Sequence, residues 1–356
     1  MKIIQLLTTL SFGDAVSNDC LAVNDLLKKS GYDTCIYAEN IDDRLKNHPD
    51  VKFYNRMPKV SPEDVLLYRL STGTDLNLQI RDIPCRKFII YHNTTPPEYF
   101  TRYSGRTANL CNRGLKEAML LSDAFDGGFC DSEFNRDQLI SYGYKCPLKV
   151  RPILIPMKDY EQSVDEEVLS RMNDGVKNIL FVGRIAPNKC QQDLIAMLYA
   201  YRQMYKDSVR LVLVGNPLGL EKYNNKLKKY AKDLGIDDVV FTCQVSFKAI
   251  LAYYKSAHCF VSVSEHEGFC VPLVEAMKFG VPVVAYDSTA IAGTLGGAGI
   301  LIKDKDPAIM AKAVHTVITN DDLSGKIVEE QRERLKYFEY ENVSKMFLDG
   351  LKELIG

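Results

Sequence analysis

The sequence lacks several features that would assign it at once to a class of protein. No apolar run approaches the roughly 18 residues of a membrane-spanning helix. Lysine plus arginine number 45 against 46 aspartate plus glutamate, so the overall charge gives no reason to expect nucleic acid as a partner. There is no short tandem repeat and no low-complexity tract. Any polyanion that the protein handles must therefore be held by a local group of charges.

The cysteines lack the spacing of a metal or redox motif. The chain has 10 cysteines, none of them in a CxxC pair. They are scattered from Cys20 to Cys270, and many lie within apolar, strand-like segments. This distribution predicts buried free thiols in the reducing cytoplasm rather than a disulfide framework.

The chain is long and apolar enough for two domains. It has 356 residues, of which 46% are hydrophobic, and this content supports two buried cores. The first residues, MKIIQLLTTLSFGDA, loosely imitate a signal peptide. Gln5 and the threonines interrupt that apolar segment and Asp14 closes it, so we expect a first buried strand instead.

Short apolar runs alternate with longer amphipathic stretches, which is typical of parallel sheets with helical crossovers. The first half has strand-like runs at IIQLLT, DTCIYA, DVLLYRL, KFIIYH, the segment around FDGGFCD, and VRPILI. The polar stretch KDYEQSVDEEVLSRMNDGVKN then reads as an interdomain connection. The alternation restarts with NILFVG, VRLVLVG, VVFTCQ, CFVSVS and VPVVAY. After Asp306-Pro307, a cap followed by a first-turn proline, the chain is predicted to be mostly helical.

Ligands of such domains bind at the carboxyl ends of the strands. In FVGRIAPNKCQQDLI, Gly183 ends a strand, Arg184 follows it, and Lys189 lies near the start of a helix. Two cations close to a helix N-terminus suit a diphosphate. By itself the pattern is weak, because arginine and lysine in a loop between a strand and a helix are more often solvated.

The stretch SEHEGFCVPLVEAMKFGVPVVAY places two glutamates beside a glycine turn. Gly268 lets a ligand approach closely, and the backbone N–H groups from Gly268 to Val271 would point at that ligand. Glu275 lies about one turn into the following helix, where its carboxylate could accept two sugar hydroxyls. Alternatively, Glu275 only stabilises the helix dipole. From the residues alone the two interpretations have equal weight.

Two further loops follow strands in the first half. His92 and Asn93 end the strand in KFIIYHNTTPPEYF, and His92 is either a ligand-binding group or a capping or core histidine. In SFGDAVSND, Gly13 permits a tight turn, while Asp14 or Ser17 could simply cap the next helix.

Together, GRIAPNK and EGFCVPLVEAMKFGVPVVA resemble the family 4 retaining glycosyltransferases, and GDAVSND, YHNTTPPEYF and DSEFNRDQL are similar to the N-terminal half of bacterial members. The resemblance implies an α/β protein of GT-B fold, with two doubly wound Rossmann-like domains facing each other across a cleft. Residues 1–156 would bind the acceptor and residues 157–335 the nucleotide-sugar donor. Residues 336–356 would form a helix that returns to the first domain.

The resemblance also assigns roles to residues. Arg184 and Lys189 match the groups that hold the diphosphate, Glu275 the one that binds ribose, and Glu267 the one beside the donor sugar. The backbone donors would come from three residues of the turn, Gly268, Phe269 and Cys270. His92 matches a histidine near the donor sugar, and Gly13 sits in the loop that closes over the phosphates. Cys270 is a departure, because many members have a second glycine there.

The implied reaction is transfer of a hexose from a nucleoside-diphosphate sugar, without a metal or another cofactor, to a glycan or lipid-linked acceptor of polysaccharide or glycoconjugate synthesis. Glu267, His92, Arg184 and Lys189 would be the catalytic groups. The acceptor's proton would pass to the departing phosphate, or a covalent intermediate would form on Glu267. The alternatives are a GT-B sugar-nucleotide epimerase and a non-catalytic sugar-nucleotide-binding protein. The expected location is the cytoplasm, and a lipid-linked acceptor would allow peripheral contact with the inner face of the cell membrane.

Overall fold

A computed structural model describes all 356 residues of the chain. The chain folds into two compact units. Unit 1 comprises Met1–Glu98, Gly105–Met157 and Phe338–Gly356, and unit 2 comprises Tyr99–Ser104 and Lys158–Tyr337. The short segment Tyr99–Ser104, expected in the first domain, thus belongs to unit 2.

Unit 1 is built on a parallel sheet of seven strands in the order β3-β2-β1-β4-β5-β6-β7. The strands are β1 (Lys2–Leu10), β2 (Asp33–Ile41), β3 (Val51–Phe53), β4 (Val65–Leu70), β5 (Arg86–Tyr91), β6 (Gly127–Cys130) and β7 (Leu148–Val150). The helices that connect them are α1 (Ala15–Lys29), α2 (Asp75–Gln79), α3 (Gly105–Leu120) and α4 (Glu133–Ser141).

The central strand β4 shows why this sheet is buried on both faces. Leu66, Tyr68 and Leu70 belong to one hydrophobic cluster, whereas Val65 and Leu67 belong to another. Because successive strand side chains point to opposite faces, two cores lie on either side of the sheet. The buried first strand expected for the N-terminal segment is confirmed as β1.

Unit 2 has a parallel sheet of six strands in the order β10-β9-β8-β11-β12-β13. These are β8 (Lys177–Val182), β9 (Val209–Val214), β10 (Val239–Cys243), β11 (Cys259–Ser262), β12 (Val283–Tyr286) and β13 (Ile300–Ile302). The helices are α5 (Glu166–Met172), α6 (Gln191–Met204), α7 (Glu221–Asp233), α8 (Phe247–Lys255), α9 (Val271–Lys278), α10 (Ile291–Leu295), α11 (Pro307–Thr319) and α12 (Asp321–Lys336).

The last helix, α13 (Tyr340–Ile355), is part of unit 1. The rings of Phe347 and Phe129 lie 5.0 Å apart, and Arg86 donates to the terminal carbonyl groups of Leu354 and Ile355. A Cβ atom on Gly350 would lie 2.8 Å from the ring of Phe129. The glycine therefore lets α13 approach β6 closely.

The structure overturns one strand prediction and adds two strands that were not predicted. The segment VRPILI is not a strand beyond Val150, and the last strand of the sheet is β7, which begins at Leu148. Pro152 lacks the N–H that a continued ladder would need. The three-residue strands β3 and β13 were not predicted. The fold class was predicted correctly, as two doubly wound α/β units.

The 10 cysteines are free thiols, and 7 of them are buried. None of the helices is both long and apolar enough to span a membrane.

Candidate functional site

The strand order of unit 2 reverses between β8 and β11. From β8 the chain proceeds outward to β9 and β10, and it then returns to place β11 on the other side of β8. The loops after β8 and β11 consequently leave the sheet in opposite directions and open a crevice at the carboxyl ends of the strands. This switch point is where doubly wound sheets bind ligands.

The two switch-point loops are tied together by three contacts. The Glu265 amide donates to the Asn188 carbonyl at 2.9 Å, and the Asn188 side-chain amide donates to the His266 carbonyl at 3.1 Å. Lys189 Nζ lies 2.5 Å from Glu267 Oε1. The structure thus brings the predicted residues Lys189 and Glu267 into direct contact. Arg184, separated from the end of β8 only by Gly183, is exposed at the start of the same loop.

Both helices at the switch point begin after a cysteine in the left-handed conformation. Cys190 precedes α6 with φ 54°, and Cys270 precedes α9 with φ 74°. Glycine adopts this conformation without strain. This explains why many members of the resembled family have a glycine at the position of Cys270. The Cys270 side chain is buried, and burial raises the pKa of its thiol well above the ordinary value. The thiol is therefore not a nucleophile at neutral pH.

Residues with a strained backbone conformation lie at the carboxyl ends of the strands in both sheets. All five non-glycine residues with positive φ lie at the end of a strand or in the loop after one: Asn93, Cys190, Cys243, Cys270 and Thr289. Such conformations cost of order 1–3 kcal/mol each and cluster at ligand sites.

The turn before α9 is fixed from outside the helix. Thr294 Oγ1 donates to the Phe269 carbonyl at 2.5 Å, and the Glu267 amide donates to Thr289 Oγ1 at 2.9 Å. No side chain caps the N-terminus of α9, which starts at Val271. The predicted donors Gly268, Phe269, Cys270 and Val271 therefore lie in one turn at an uncapped helix start, where an anion is favoured.

Glu275 is the fifth residue of α9, as predicted one turn into the helix. Its Oε1 accepts from the Tyr160 hydroxyl at 2.7 Å, and its Oε2 accepts from the Tyr254 hydroxyl at 2.6 Å. Burial raises the pKa of Glu275 above its ordinary value, and the two hydroxyl donors oppose that shift. Glu275 is thus bonded to two phenols and does more than interact with the helix dipole.

Two acidic side chains beside the switch point, Asp193 and Glu265, are paired with the ammonium group of Lys305. Ligand atoms of Cys190, Asp193 and Glu265 lie within 4.8 Å of one another, but Lys305 Nζ lies 2.8 Å from Asp193 Oδ2 and also bonds to Glu265. Burial alone would lower the pKa of Lys305, yet these two bonds raise it above the ordinary value. The ammonium group therefore neutralises part of the charge that a metal ion would need. Asp306 accepts from the first amides of α11, as expected of its cap.

In unit 1, His92 follows β5, and both nitrogens of its imidazole ring have hydrogen-bond partners. Its side chain is 1% exposed. Arg69 Nη1 lies 2.9 Å from Nε2, and Asp131 Oδ2 lies 2.8 Å from Nδ1. Because a guanidinium only donates, Nε2 must accept, and Nδ1–H must donate to Asp131. This neutral imidazole has no N–H left for a sugar or a phosphate, so the structure does not support the predicted role of the His92 side chain as a catalytic donor.

The partner of His92 belongs to a buried charged network. Asp19 of α1 accepts from Arg69 at 2.5 Å, from Arg151 at 2.5 and 2.9 Å, and from the Leu154 amide at 2.7 Å. Burial alone would raise the pKa of Asp19, but Arg151 and Arg69 hold it well below the ordinary value. The network fixes the carboxyl ends of the central strands around His92.

Gly13 lies in the loop between β1 and α1 with φ 80°, and a Cβ atom there would meet nothing within 4 Å. Asp14 caps α1, accepting from the amides of Val16 and Ser17. The capping interpretation of Asp14 is therefore confirmed. The position of Gly13 favours glycine because of its positive φ and not because space is short.

Sequence reasoning missed Tyr160, Tyr254 and Lys305, which lie 115, 21 and 30 positions from Glu275. One signal was available, and only for Tyr254. A buried tyrosine needs a partner for its hydroxyl, and Tyr254 ends the apolar run AILAYY, whereas Tyr160 lies in the polar stretch KDYEQ. The sequence does not indicate which acceptor they use.

The comparisons with known proteins agree with this geometry. Residues 167–336 match the family described as "Glycosyl transferases group 1". Over 214 residues the chain is 31% identical to the alpha-monoglucosyldiacylglycerol synthase of Streptococcus pneumoniae, covering 57% of this chain and 44% of that protein. Over 156 residues it is 33% identical to the D-inositol 3-phosphate glycosyltransferase of Geodermatophilus obscurus, covering 41% of this chain and 34% of that protein. The matches thus span less than half of these relatives.

The structure of HepE from Anabaena in complex with UDP and glucose aligns with 99% of this chain and 100% of that one. The TM-score is 0.76 at 19% sequence identity, which shows a shared fold. The protein is therefore a chain of GT-B fold whose second unit is similar to the group 1 glycosyl transferases over residues 167–336.

Proposed function

We propose that the protein is a retaining glycosyltransferase that moves a hexose from a nucleoside-diphosphate sugar to a glycan or lipid-linked acceptor. The observation that carries this proposal is the arrangement at the switch point of unit 2. There the Lys189–Glu267 pair, the uncapped start of α9 and the carboxylate of Glu275 belong to two adjoining loops and one helix. Anion-binding and hydroxyl-binding groups thus lie side by side, as a sugar nucleotide requires.

The diphosphate would lie against Lys189, Arg184 and the turn from Gly268 to Val271. An ammonium group has three N–H donors, so Lys189 can keep Glu267 and still bind phosphate oxygens. Glu275 would take the ribose hydroxyls, and Glu267 would face the donor sugar. Unit 1 would supply the acceptor site.

The chemistry follows from the charge that develops. Breaking the glycosyl phosphate bond leaves negative charge on the diphosphate and oxocarbenium character on the sugar, so stabilising the leaving group is the largest available effect. One cation at ~4 Å in an effective dielectric near 20 contributes roughly 4 kcal/mol of gross interaction. In the single-face route, the departing phosphate oxygen takes the acceptor's proton. This route needs no histidine donor, which agrees with the engaged ring of His92.

Two similarities bear on the substrates. The Streptococcus pneumoniae relative is named for synthesis of a glycosylated diacylglycerol, which favours a lipid-linked acceptor. HepE binds UDP and glucose in its crystal structure, which favours a hexose donor. We place the protein in the cytoplasm, in peripheral contact with the inner membrane face that displays such an acceptor, and in the synthesis of a glycoconjugate or surface polysaccharide.

The first test is a thermal-shift screen against the diphosphates of uridine, guanosine and adenosine and their hexose derivatives. A ligand that binds only the folded state raises the melting temperature. The donor so found is then incubated with lipid-extract and oligosaccharide acceptors, and NMR reads the anomeric configuration of the product. Transfer with the donor's configuration kept supports the proposal. A free epimer without acceptor would indicate an epimerase, and binding without turnover a sugar-nucleotide sensor.

A further inference from the structure

The carboxylate of Glu275 is engaged at both oxygens by phenol groups. Tyr160 donates to Oε1 at 2.7 Å, and Tyr254 donates to Oε2 at 2.6 Å. Each carboxylate oxygen can accept about two hydrogen bonds. One acceptor position on each oxygen therefore remains after the phenols are bound, and the two positions are held in a fixed relationship.

Aromatic packing holds the two phenols in place. The Tyr254 ring stacks on Phe279 with centroids 5.2 Å apart and planes 5° from parallel. The Tyr160 ring meets Phe247 edge-on at 5.3 Å and Phe279 at 6.4 Å. Since both phenols share Phe279 as a neighbour, neither hydroxyl can leave the carboxylate without disturbing the same cluster.

The three residues come from separate parts of unit 2. Tyr254 lies in α8 and Glu275 in α9, while Tyr160 is the third residue after Met157, where the chain leaves unit 1. The start of the connecting segment is thus bonded directly to a residue of the candidate nucleotide site. A purely structural anchor for this segment would not need a carboxylate, because apolar packing on Phe247 and Phe279 already holds the ring.

We propose that Tyr160 and Tyr254 are positioning residues that fix Glu275 as a two-point acceptor for a vicinal diol, and so make the site selective for ribonucleotides over 2′-deoxyribonucleotides. The proposal rests on the proposed function, since it requires a nucleoside diphosphate at the start of α9. A ribose offers a hydroxyl to each open acceptor position. A 2′-deoxyribose leaves one position unpaired in a half-buried setting, which is the kind of mismatch that polar sites reject most strongly.

Preorganisation explains why two donors are needed. A free glutamate side chain loses rotamer freedom when it binds a ligand, and ordering it beforehand removes that cost. The phenols also stabilise the ionised carboxylate, which is the form that accepts two hydroxyl hydrogens. Replacing either tyrosine with phenylalanine removes one donor but keeps the ring and its packing.

The test measures dissociation constants by calorimetry for a ribonucleoside diphosphate and its 2′-deoxy counterpart, using uridine, guanosine and adenosine as bases. The wild-type protein should prefer the ribonucleotide by about 10-fold or more. The double variant Tyr160→Phe, Tyr254→Phe should bind the ribonucleotide roughly 3- to 10-fold more weakly, as expected for one side chain that is no longer preordered. Its affinity for the deoxynucleotide should change less, so the preference shrinks.

Tyr253→Phe is the matched control. Tyr253 is the neighbour of Tyr254 on α8, and its hydroxyl accepts from Arg171 at 3.3 Å instead of reaching Glu275. This variant loses a phenol hydroxyl from the same helix and should keep the wild-type preference. The single variant Tyr160→Phe tests the same point if the double variant does not fold, and it should lower the preference by itself.

Equal weakening of both nucleotides in the phenylalanine variants would overturn the proposal, because a general structural defect does not distinguish the 2′-hydroxyl. A wild-type protein that binds both sugars equally would overturn it as well and leave the proposed function intact. If the wild-type protein binds none of the six diphosphates, both the proposed function and this inference fail.

Discussion

Lys189 and Glu267 form an ion pair of 2.5 Å with side chains only 22% and 9% exposed. The pair joins the loop after β8 to the loop after β11, so the charge of each residue is compensated before any ligand arrives. A phosphate at this position would share Lys189 with Glu267, and the two loops would respond to it together.

Lys189→Ala should lower kcat by ~10²-fold or more, by analogy with the loss of other donors that stabilise developing charge. The charge on the diphosphate grows during bond breaking, so the loss should be larger in kcat than in donor affinity. Steady-state kinetics with the donor from the thermal-shift screen measure this effect. Lys206→Ala, an exposed lysine just beyond the C-terminal end of α6, is the control. A rise in KM alone would mean that Lys189 binds ground state and transition state equally.

Because of Glu275, nucleotide affinity should depend on pH at higher pH values than it would with an exposed glutamate. Burial raises the pKa of Glu275 above its ordinary value of 4.5, and only the ionised form accepts two hydroxyl hydrogens. Affinity should therefore be constant near neutrality and fall as the pH drops through that raised pKa, earlier than for an exposed glutamate. Glu275→Gln should bind roughly 10-fold more weakly, as for the loss of a charged hydrogen bond.

The two proteins are compared by calorimetry from pH 7.5 down to pH 5. The phosphate itself gains a proton near pH 6, but this effect is common to both, so the ratio of their dissociation constants isolates Glu275. That ratio should shrink on acidification. A constant ratio would show that Glu275 does not titrate in this range while it binds the nucleotide.

Asp19→Asn should lower the free energy of unfolding by about 3–5 kcal/mol, because it leaves the buried cations Arg69 and Arg151 without their counter-charge. Urea denaturation measures the change. Asp25→Asn on the exposed face of the same helix should change it by less than about 0.5 kcal/mol. The lowered pKa of Asp19 also predicts a direction with pH. Its stabilisation is complete above the unfolded-state pKa of about 3.9 and declines as the pH falls below it.

Transfer should persist in excess EDTA. Asp193 and Glu265, two acidic residues beside the switch point, already hold the ammonium group of Lys305. Glu267 is paired with Lys189, and Asp306 is used as a helix cap. Activity with and without EDTA is compared, with Mg²⁺ and Mn²⁺ added back separately. Full loss that either metal restores would mean that carboxylates organise the phosphates, and the roles of Arg184 and Lys189 would have to be withdrawn.

The sequence predicted those parts of the fold that have a strong local signal. Runs such as VRLVLVG, apolar except for Arg210, form buried strands, and Asp306-Pro307 specified a cap by itself. The strands β3 and β13 have only three residues each, too few for a periodicity to be recognised. The prediction of a strand at VRPILI was wrong because the apolar content of the segment was given more weight than Pro152. Proline lacks the N–H that a regular ladder needs.

At the site, the sequence predicted which loops matter but not what their side chains contact. The pairing of Lys189 with Glu267 spans 78 positions, and its ion pair could not be read from either motif alone. The ring of His92 was open to two interpretations until Arg69 and Asp131 were found on its two nitrogens. Such hydrogen bonds depend on the order of the strands, which local patterns do not specify.

The position of α13 sets the order in which the protein can be completed during synthesis. Phe347, Leu351 and Leu354 belong to the same core as Phe88 and Phe129 of unit 1, yet they are synthesised after all of unit 2. Domains generally fold as units in the order in which they emerge. Unit 2 can therefore finish first, while the earlier-made unit 1 keeps an apolar face of its sheet uncovered until α13 has emerged. A nascent chain stalled before Phe338 should expose that face to chaperones, and extension of the chain through α13 should close it.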